Sequence, residues 1–324
     1  MSVIVAVDHR FDDLAIERAV LESAGTEVRD LRGLDRGNVL DACADADAIL
    51  AGARFRFDAE AIARFGRCRV IVRYGIGVDN VDTATATKAG IWVAFVPDYC
   101  VEEVADHALA LVLALNRRLV ELDGLVRAGR WGIPDGLAVR RLSSCVLGII
   151  GFGRIGEAVG RRAAALGMEV IAHDPVRLEA DIEGAGATSV GLDELLAASD
   201  YVSLHAPPVQ GGALLGAAEL GRLKYGAAIV NVGRAGLIDE EALVAGLVAG
   251  RIAGAALDVT AQEPLQPPSP LLDAPNLIVT PHAAWYSLES IVELRTKTAE
   301  EAARVLRGDR PLHTVNDVSA GTLS

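Results

Sequence analysis

Short apolar runs alternate with helical patterns along the whole chain. In the first hundred residues the runs are VIVAV (3–7), DAILAG (47–52), RVIVRYGIG (69–77) and IWVAFV (91–96). A second series consists of CVLGIIG (145–151), MEVIAHD (168–174), DYVSLHA (200–206), AAIVNVG (227–233), IAGAALDV (252–259) and NLIVTPH (276–282). Unbroken β-branched runs between helices are typical of βαβ units around a parallel sheet buried on both faces. Two such series predict an α/β fold with two doubly wound, Rossmann-like domains.

Three helical patterns frame these runs. One extends from Asp12 to about Ser23, and another closes the chain from about Trp285 to Leu306. The third, from Val101 to Leu119, is apolar nearly all round. A helix of that kind has to be covered on several sides, so we expect it to be an interdomain helix packed between two bodies of protein.

The composition agrees with two domains and excludes several classes of protein. A chain of 324 residues exceeds what one core usually holds. Its net charge of −13 argues against a nucleic-acid binder and against an anionic membrane surface. No apolar segment approaches the roughly 20 residues that span a bilayer. The N-terminus, MSVIVAVDHR, is expected to be a first strand rather than a signal peptide.

The cysteines predict a reduced, cytoplasmic protein. Cys43, Cys68, Cys100 and Cys145 are scattered without a CxxC pair, so neither a disulfide framework nor a metal site is expected. The chain has only three lysines among 31 basic residues. This arginine bias suggests a GC-rich bacterial genome and weakens any argument from a single arginine.

A glycine-rich loop points to a dinucleotide. Gly151-Phe152-Gly153-Arg154-Ile155-Gly156 follows the apolar run CVLGII and opens the helical stretch RIGEAVGRRAAALG. In such a loop the first glycine permits a tight turn, the second lets the backbone approach a pyrophosphate, and the third lets the helix pack closely. The N–H groups at the start of the helix then receive the phosphates.

The next predicted strand ends at His173-Asp174-Pro175. Asp174 stands 18 residues beyond Gly156, where a carboxylate accepts hydrogen bonds from the adenosine ribose and repels a 2′-phosphate. NAD(H) is therefore the expected cofactor, although Arg177 could partly offset the selectivity against NADP(H). The alternative is a purely structural turn between strand and helix.

Three ionisable side chains follow later strands of the second series. Arg234 comes after AAIVNVG, Glu263 after IAGAALDV, and His282 after NLIV. Ligands of open parallel sheets bind at the carboxyl ends of the strands, so these groups are expected on one rim. Each has a structural alternative: a capping or phosphate contact for Arg234, a turn for Glu263, and a hydrogen-bonded or surface ring for His282.

The motifs GFGRIG with HDP, VNVGRAGLIDEEAL, GAALDVTAQEP and NLIVTPHAAW resemble, in order and spacing, those of NAD-dependent D-2-hydroxyacid dehydrogenases. RYGIGVDNVD and VPDYCVEEVADHALAL are similar to the substrate loop and interdomain helix of that family. The most similar branch contains C-terminal-binding-protein corepressors and phosphoglycerate dehydrogenases. The resemblance implies a discontinuous substrate-binding domain (1–98 plus 286–324), a central NAD-binding domain (99–285), and a homodimer formed through the coenzyme domains.

The resemblance also implies roles. Arg234 would bind the substrate carboxylate and polarise the C2 oxygen, His282 would be the acid/base, and Glu263 would orient its ring. Besides the glycine loop, Asp174 and Pro175, the implied cofactor contacts are His205, Ala206, Pro207, Val232, Gly233, Asp258 and Ala284. The bare loop VQGGALLG departs from the family pattern and puts contacts around 209–212 in doubt, and Ala235 replaces a common glycine.

Substrate contacts are expected from Arg73, Tyr74, Gly75, Ile76 and Gly77, and from Trp285, whose alternative place is the interdomain helix core. The loop GARFRFD contains Arg54 and Arg56. Together with Arg73 and Arg234, they suggest a 2-keto acid that carries a second anion, such as a carboxylate, phosphate or phosphonate. The expected function is hydride transfer between NAD(H) and a 2-keto or D-2-hydroxy acid. The alternatives are an NAD(H)-sensing scaffold like the corepressors and, on the same fold, the oxidation of a sugar or of phosphite.

Overall fold

The computed structural model describes residues 2–21, 25–209 and 211–318. The chain forms two compact units: Met1–Cys100 with Ser287–Ser324 make unit 1, and Val101–Tyr286 make unit 2. Each unit has its own apolar core. No helix in the described part of the chain combines the length and the apolar character that crossing a membrane requires.

Unit 1 is a doubly wound parallel sheet. Its described strands, in the spatial order β2-β1-β3-β4-β5, are β1 Val3–Val7, β2 Glu27–Asp30, β3 Ala48–Ala51, β4 Val70–Arg73 and β5 Trp92–Ala94. Its described helices are α1 Ala15–Leu21, α2 Arg36–Cys43, α3 Ala59–Ile62, α4 Thr83–Lys88 and, from the end of the chain, α13 Leu288–Leu306. All strand pairs are parallel, and the order is that of flavodoxin-like folds.

The last segment of the chain completes unit 1. α13 packs against α1, β3 and β4, and its first turn is capped by Ser287, whose Oγ accepts the N–H of Ser290 at 2.8 Å. The tail then passes the edge of β5, where the Val93 N–H donates to Oδ1 of Asn316 at 2.8 Å. These contacts tie the two separated stretches of sequence into one unit.

Unit 2 is a second parallel sheet, in the spatial order β12-β11-β10-β9-β6-β7-β8. Its described strands are β6 Val146–Ile150, β7 Glu169–His173, β8 Thr188–Ser189, β9 Tyr201–Leu204, β10 Ala228–Asn231, β11 Gly254–Leu257 and β12 Leu277–Val279. Its described helices are α5 Val101–Arg117, α6 Leu119–Arg127, α7 Arg154–Ala165, α8 Glu179–Gly184, α9 Leu192–Ala198, α10 Ala217–Arg222, α11 Glu240–Val248 and α12 Pro270–Asp273. The order reverses between β6 and β9, the point where nucleotides bind in such sheets.

The predicted α/β class with two doubly wound sheets is confirmed. Two strands were not predicted, because β2 is partly polar along the sheet edge and β8 has only two residues. The helix that begins at Val101 ends at Arg117 rather than Leu119, because Arg118 adopts a left-handed conformation and starts a separate helix. The predicted end of the first helix, Ser23, lies outside the described residues.

Candidate functional site

The predicted arginine, the acid/base histidine and its glutamate partner lie at the carboxyl ends of neighbouring strands. Arg234 follows β10, Glu263 lies in the loop after β11, and His282 follows β12. These strands are adjacent in the sheet of unit 2 and run parallel. The fold therefore brings all three loops to one edge of unit 2.

His282 and Glu263 form a hydrogen-bonded pair. The Nδ1 atom of His282 lies 2.8 Å from Oε2 of Glu263, and about half of each side chain is exposed, 48% and 41%. A carboxylate only accepts hydrogen bonds, so Nδ1 carries the proton in this pair. The other ring nitrogen, Nε2, is left to accept or donate a proton. The pair thus has the geometry of an oriented acid/base.

The loop that carries His282 is built around a buried carboxylate. Asp258 accepts the backbone N–H groups of Ala283 and Ala284, both at 2.9 Å, and its side chain is only 1% exposed. The hydroxyl of Thr280 donates to Oδ1 of Asp258 at 2.5 Å. Because that hydroxyl has one proton, it accepts a hydrogen bond from Nε2 of His107, 3.0 Å away. A chain of hydrogen bonds from α5 therefore fixes the loop. Asp258, which was predicted as a cofactor contact, binds backbone N–H groups of the protein itself.

His282 itself adopts a left-handed conformation, with φ 54°. Its backbone N–H donates to the carbonyl oxygens of Asp258 and Thr280 at 2.9 and 3.0 Å. Its carbonyl oxygen accepts the indole N–H of Trp285 at 3.0 Å. Non-glycine residues hold such a conformation only where surrounding contacts enforce it, and such residues concentrate at functional sites. The indole of Trp285 supplies one of these contacts.

Arg234 is held by the turn after β10. Its carbonyl oxygen accepts a hydrogen bond from Nδ2 of Asn231 at 2.9 Å, and Asn231 also accepts the Gly233 N–H at 3.0 Å. The Nη1 atom of Arg234 donates to the Gly233 carbonyl oxygen at 2.9 Å. Buried Asn231 thus shapes the turn, and the half-buried guanidinium lies against its own backbone.

The glycine loop has the shape that a pyrophosphate requires. Gly151 has φ 87°, and a Cβ there would lie 2.6 Å from the backbone of residues 205–206. A Cβ at Gly156 would lie 2.2 Å from the Gly151 carbonyl oxygen, so only glycine lets α7 pack this closely. At Gly153 no described heavy atom outside the adjoining chain lies within 4 Å of a Cβ. Arg154 and Ile155 open α7 beside this free space.

Asp174 is charged and held by backbone groups. Oδ2 accepts the N–H of Phe152 at 2.8 Å, and Oδ1 accepts those of Val176 and Arg177 at 2.9 and 3.1 Å. Burial by itself would raise the pKa of Asp174, but these N–H groups outweigh it and leave the pKa below its usual value. Pro175, the next residue, is exposed.

Other predicted cofactor residues line the strand ends of β9 and β10. His205 is partly exposed, Ala206 half-buried and Pro207 exposed, while Val232 is buried beside half-buried Gly233. Burial lowers the pKa of His205 to about 4, so this ring is neutral near pH 7. Its Nε2 lies 2.8 Å from the Ser203 hydroxyl. Ala284 is buried at the end of the His282 loop. The loop from Val209 to Gly212 includes residue 210, which lies outside the described residues.

In unit 1 the predicted substrate loop follows β4. Gly75, with φ 137°, is buried, and Ile76 and Gly77 are half-buried. The Arg73 guanidinium turns back to donate to the Tyr74 carbonyl oxygen. Tyr74 also points inward: its hydroxyl donates to Oε1 of Glu17 at 3.0 Å. Only the backbone of Tyr74 can therefore face a ligand.

A buried ion pair lies behind this tyrosine. Arg295 of α13 donates to both carboxylate oxygens of Glu17, at 2.9 and 2.6 Å, and Glu17 is fully buried. Burial and the contact with Glu17 raise the pKa of Tyr74 well above its ordinary value. The Arg295 guanidinium also lies 4.7 Å above the ring of Phe11. The predicted substrate loop thus rests on an internal polar network of unit 1.

Arg54, the predicted contact for a second anion, already has a carboxylate partner. Asp8 pairs with the Arg54 guanidinium at 3.1 Å and accepts the backbone N–H groups of Arg54 and Phe55 at 2.6 and 3.1 Å. Two thirds of the Arg54 side chain is exposed. The negative charge of Asp8 therefore offsets the positive charge of Arg54.

Several supporting residues were not predicted. His107 and Thr280 fix the His282 loop, Glu157 binds Arg177, and Glu17, Arg295 and Asp8 hold the loops of unit 1. A histidine on the nearly apolar α5 was a signal that could have drawn attention to His107. The four cysteines are buried and form no disulfide, and among the described residues no cluster of His, Cys, Asp and Glu could hold a metal ion.

Comparison with known proteins gives a consistent result. Residues 109–284 match the family model of the D-isomer specific 2-hydroxyacid dehydrogenase, NAD binding domain. The chain is 38% identical to a glyoxylate reductase of Korarchaeum cryptofilum, covering 86% of this chain and 85% of that protein. It is 35% identical to a D-3-phosphoglycerate dehydrogenase of Mycobacterium leprae over 94% of this chain, but it spans only 58% of that relative.

A solved structure extends the similarity to both units. The D-lactate dehydrogenase from Aquifex aeolicus, complexed with NAD and lactic acid, superposes with a TM-score of 0.86 at 26% identity. The match covers 98% of this chain and all of that one. With the glycine loop, Asp174 and the His282–Glu263 pair in one unit, these matches show that the chain belongs to the NAD-dependent D-isomer specific 2-hydroxyacid dehydrogenase family.

Proposed function

We propose that this protein reduces a 2-keto acid to a D-2-hydroxy acid with NADH, and catalyses the reverse oxidation with NAD. The hydrogen bond of 2.8 Å between His282 and Glu263 carries the proposal. It leaves Nε2 of an oriented imidazole available at the carboxyl edge of a dinucleotide-binding sheet. Imidazole changes charge near neutral pH, so it can serve in both directions.

The cofactor would be held by residues whose geometry fits it. The open space at Gly153 and the first N–H groups of α7 suit a pyrophosphate, and the charged Asp174 suits ribose hydroxyls. Exposed Val176 and Leu178, 88% and 70% accessible, offer apolar surface for an adenine. When bound, NADH supplies hydride from nicotinamide C4 to C2 of the keto acid.

Two side chains of the protein are proposed to transfer the proton and to bind the substrate carboxylate. His282 gives its Nε2 proton to the C2 oxygen as that oxygen gains negative charge. In reduction His282 starts as the imidazolium, which Glu263 stabilises, and is neutral after the transfer; in oxidation Nε2 takes the hydroxyl proton and the same imidazolium forms. Arg234 binds the substrate carboxylate with a planar, permanently charged guanidinium. In unit 1, the backbone N–H groups of Gly75, Ile76 and Gly77 are proposed as substrate contacts.

A second anion on the substrate would have to compete with Asp8 for Arg54. We therefore expect short uncharged tails, as in glyoxylate and pyruvate, to be favoured over phosphonopyruvate, phosphohydroxypyruvate and oxaloacetate. The test is NADH oxidation at 340 nm with this panel of 2-keto acids. If none of these acids, nor longer-tailed ones, supports oxidation, the dehydrogenase proposal is wrong. The family membership and the oriented His282–Glu263 pair favour the enzyme over a corepressor-like scaffold.

We also propose a homodimer formed through unit 2. Large apolar side chains are exposed along one segment of that unit, with Trp131 and Ile133 at 91% and 83% accessibility and Leu119, Val120 and Val126 above half. Contiguous exposed apolar side chains are typical of interaction surfaces. Light scattering of the wild type should give twice the chain mass, and Trp131→Glu with Ile133→Glu should give a monomer. Four buried cysteines without a disulfide suit a reducing, cytoplasmic location.

A further inference from the structure

Two charges beside the glycine loop favour opposite cofactors. Asp174 carries a negative charge next to the expected ribose and so disfavours a 2′-phosphate. Arg177 follows three residues later, and an arginine at this place is the group with which related folds accept a 2′-phosphate. The sequence alone does not say which charge decides the preference.

The Arg177 guanidinium is held by Glu157 and Phe152. Its Nη2 donates to Oε2 of Glu157 at 2.7 Å, and its Nη1 donates to the Phe152 carbonyl oxygen at 2.5 Å. The guanidinium also lies 5.3 Å from the centre of the Phe152 ring. Both partners of the ion pair are largely covered, with 25% and 36% of the side chains exposed. Partial burial and a second hydrogen bond make such a pair stronger than a fully exposed one.

Arg177 is nevertheless close enough to serve a ribose phosphate. Its backbone N–H donates to Asp174 Oδ1, and the Phe152 N–H donates to Oδ2 of the same carboxylate. The guanidinium therefore binds the carbonyl oxygen of Phe152, the same residue whose N–H group binds Asp174. Released from Glu157, a flexible arginine side chain can reach the position that Asp174 now faces.

We propose that Glu157 is a specificity-determining residue: it holds Arg177 away from the ribose and so prevents NADP(H) from using that arginine. The inference rests on the proposed dehydrogenase function and adds the residues that set its cofactor preference. Asp174 excludes the phosphate by repulsion, and Glu157 removes the cation that would attract it. Both carboxylates must be lost before NADPH gains the full contact.

The test is a double-mutant cycle with Asp174→Asn and Glu157→Ala. Asparagine keeps one acceptor oxygen, which can still receive the N–H groups of Val176 and Arg177, and alanine suits the first turn of α7. For each protein, dissociation constants of NADPH and NADH are measured by fluorescence, together with kcat/KM for both. D174N should raise the NADPH/NADH ratio about tenfold, and E157A alone should change it little. The double variant should exceed the product of the singles by about tenfold.

Two further variants identify the cation and control for charge. Arg177→Met added to the double variant should abolish the extra gain. Glu183→Ala removes an exposed carboxylate of α8 and should leave the ratio unchanged whether or not Asp174 is replaced.

Purely multiplicative effects of D174N and E157A, or a gain that survives R177M, would overturn the inference. The binding ratios are informative without turnover. Proteins that bind both cofactors but reduce no keto acid contradict the proposed function, while their ratios still test Glu157.

Discussion

The loop after β12 in unit 2 and the loop after β4 in unit 1 direct their polar side chains in opposite ways. In unit 2 the loop's own backbone is satisfied by buried Asp258, and the side chains of His282 and Glu263 remain about half exposed. In unit 1 the side chains turn inward, and Tyr74 donates to buried Glu17. The comparison teaches that ionisable and polar side chains at strand ends do not all serve chemistry. The side chains of His282 and Glu263 are exposed enough to contact a ligand, whereas Tyr74 holds the backbone of the predicted substrate loop.

The largest effect on stability should come from the inward-facing side of this comparison. Arg295→Met leaves the fully buried Glu17 without its cation, which should lower the free energy of unfolding by about 3–5 kcal/mol. Urea unfolding measures this loss. Arg36→Met is the matched control, because its pair with Asp58 is exposed and should contribute at most about 1 kcal/mol. Equal losses in the two variants would contradict the contrast.

The outward-facing pair should show the reverse behaviour. Glu263→Gln removes the negative charge that stabilises imidazolium and should lower kcat by about 100-fold. The unfolding free energy should change by less than about 0.5 kcal/mol, because both side chains are exposed. Glu241→Gln, an exposed carboxylate of α11, is the control and should leave kcat unchanged. A Glu263→Gln variant that is strongly destabilised would mean that the pair is structural.

His205 should make stability depend on pH. Its folded-state pKa of about 4 lies below the ordinary 6.5, so the unfolded chain binds the proton more readily. Stability from this ring is therefore complete above pH 6.5 and is lost as the pH falls from 6.5 towards 4. The full shift corresponds to about 3 kcal/mol, and partial exposure of the residue reduces this to roughly 2. His205→Gln should flatten the unfolding free energy between pH 6.5 and 4; an unchanged slope would assign the pH dependence to other groups.

The smallest effect concerns the substrate tail. Asp8→Asn keeps an acceptor for the Arg54 and Phe55 N–H groups but removes the charge that pairs with Arg54. Asparagine also tolerates the left-handed conformation of position 8, where φ is 54°. The ratio of kcat/KM for phosphonopyruvate over pyruvate should rise about threefold. Asp12→Asn, on the exposed surface nearby in sequence, should not change it. A ratio that falls would mean that Arg54 does not meet the tail.

Much of this fold could be predicted because its strands are buried on both faces. Runs such as VIVAV are short, β-branched and flanked by helical patterns, which together indicate buried strands, and parallel strands bring their carboxyl ends to one edge of a sheet. The polar edge strand β2 lacks that signal. The positions of Arg234, Glu263 and His282 at the ends of β10, β11 and β12 were also predictable, because each follows an apolar run in the sequence.

Side-chain direction was not predictable, because it depends on partners distant in sequence. Tyr74 meets Glu17 57 residues earlier, and Glu17 meets Arg295 278 residues later. Arg177 is withdrawn by Glu157 on a different element, and Arg54 by Asp8 on another strand end. No local sequence pattern predicts these contacts. The contacts determine which charged side chains remain accessible to a ligand.

The most direct test of the central claim, that His282 is the proton donor and acceptor, is the pH profile of kcat/KM for 2-keto acid reduction in His282→Asn. Asparagine adopts left-handed backbone readily, so the loop should be retained, and NADH affinity should match the wild type. The account predicts a rate at least about 100-fold lower at the wild-type optimum, with the histidine limb of the profile absent. Wild-type rates in this variant at every pH would contradict it.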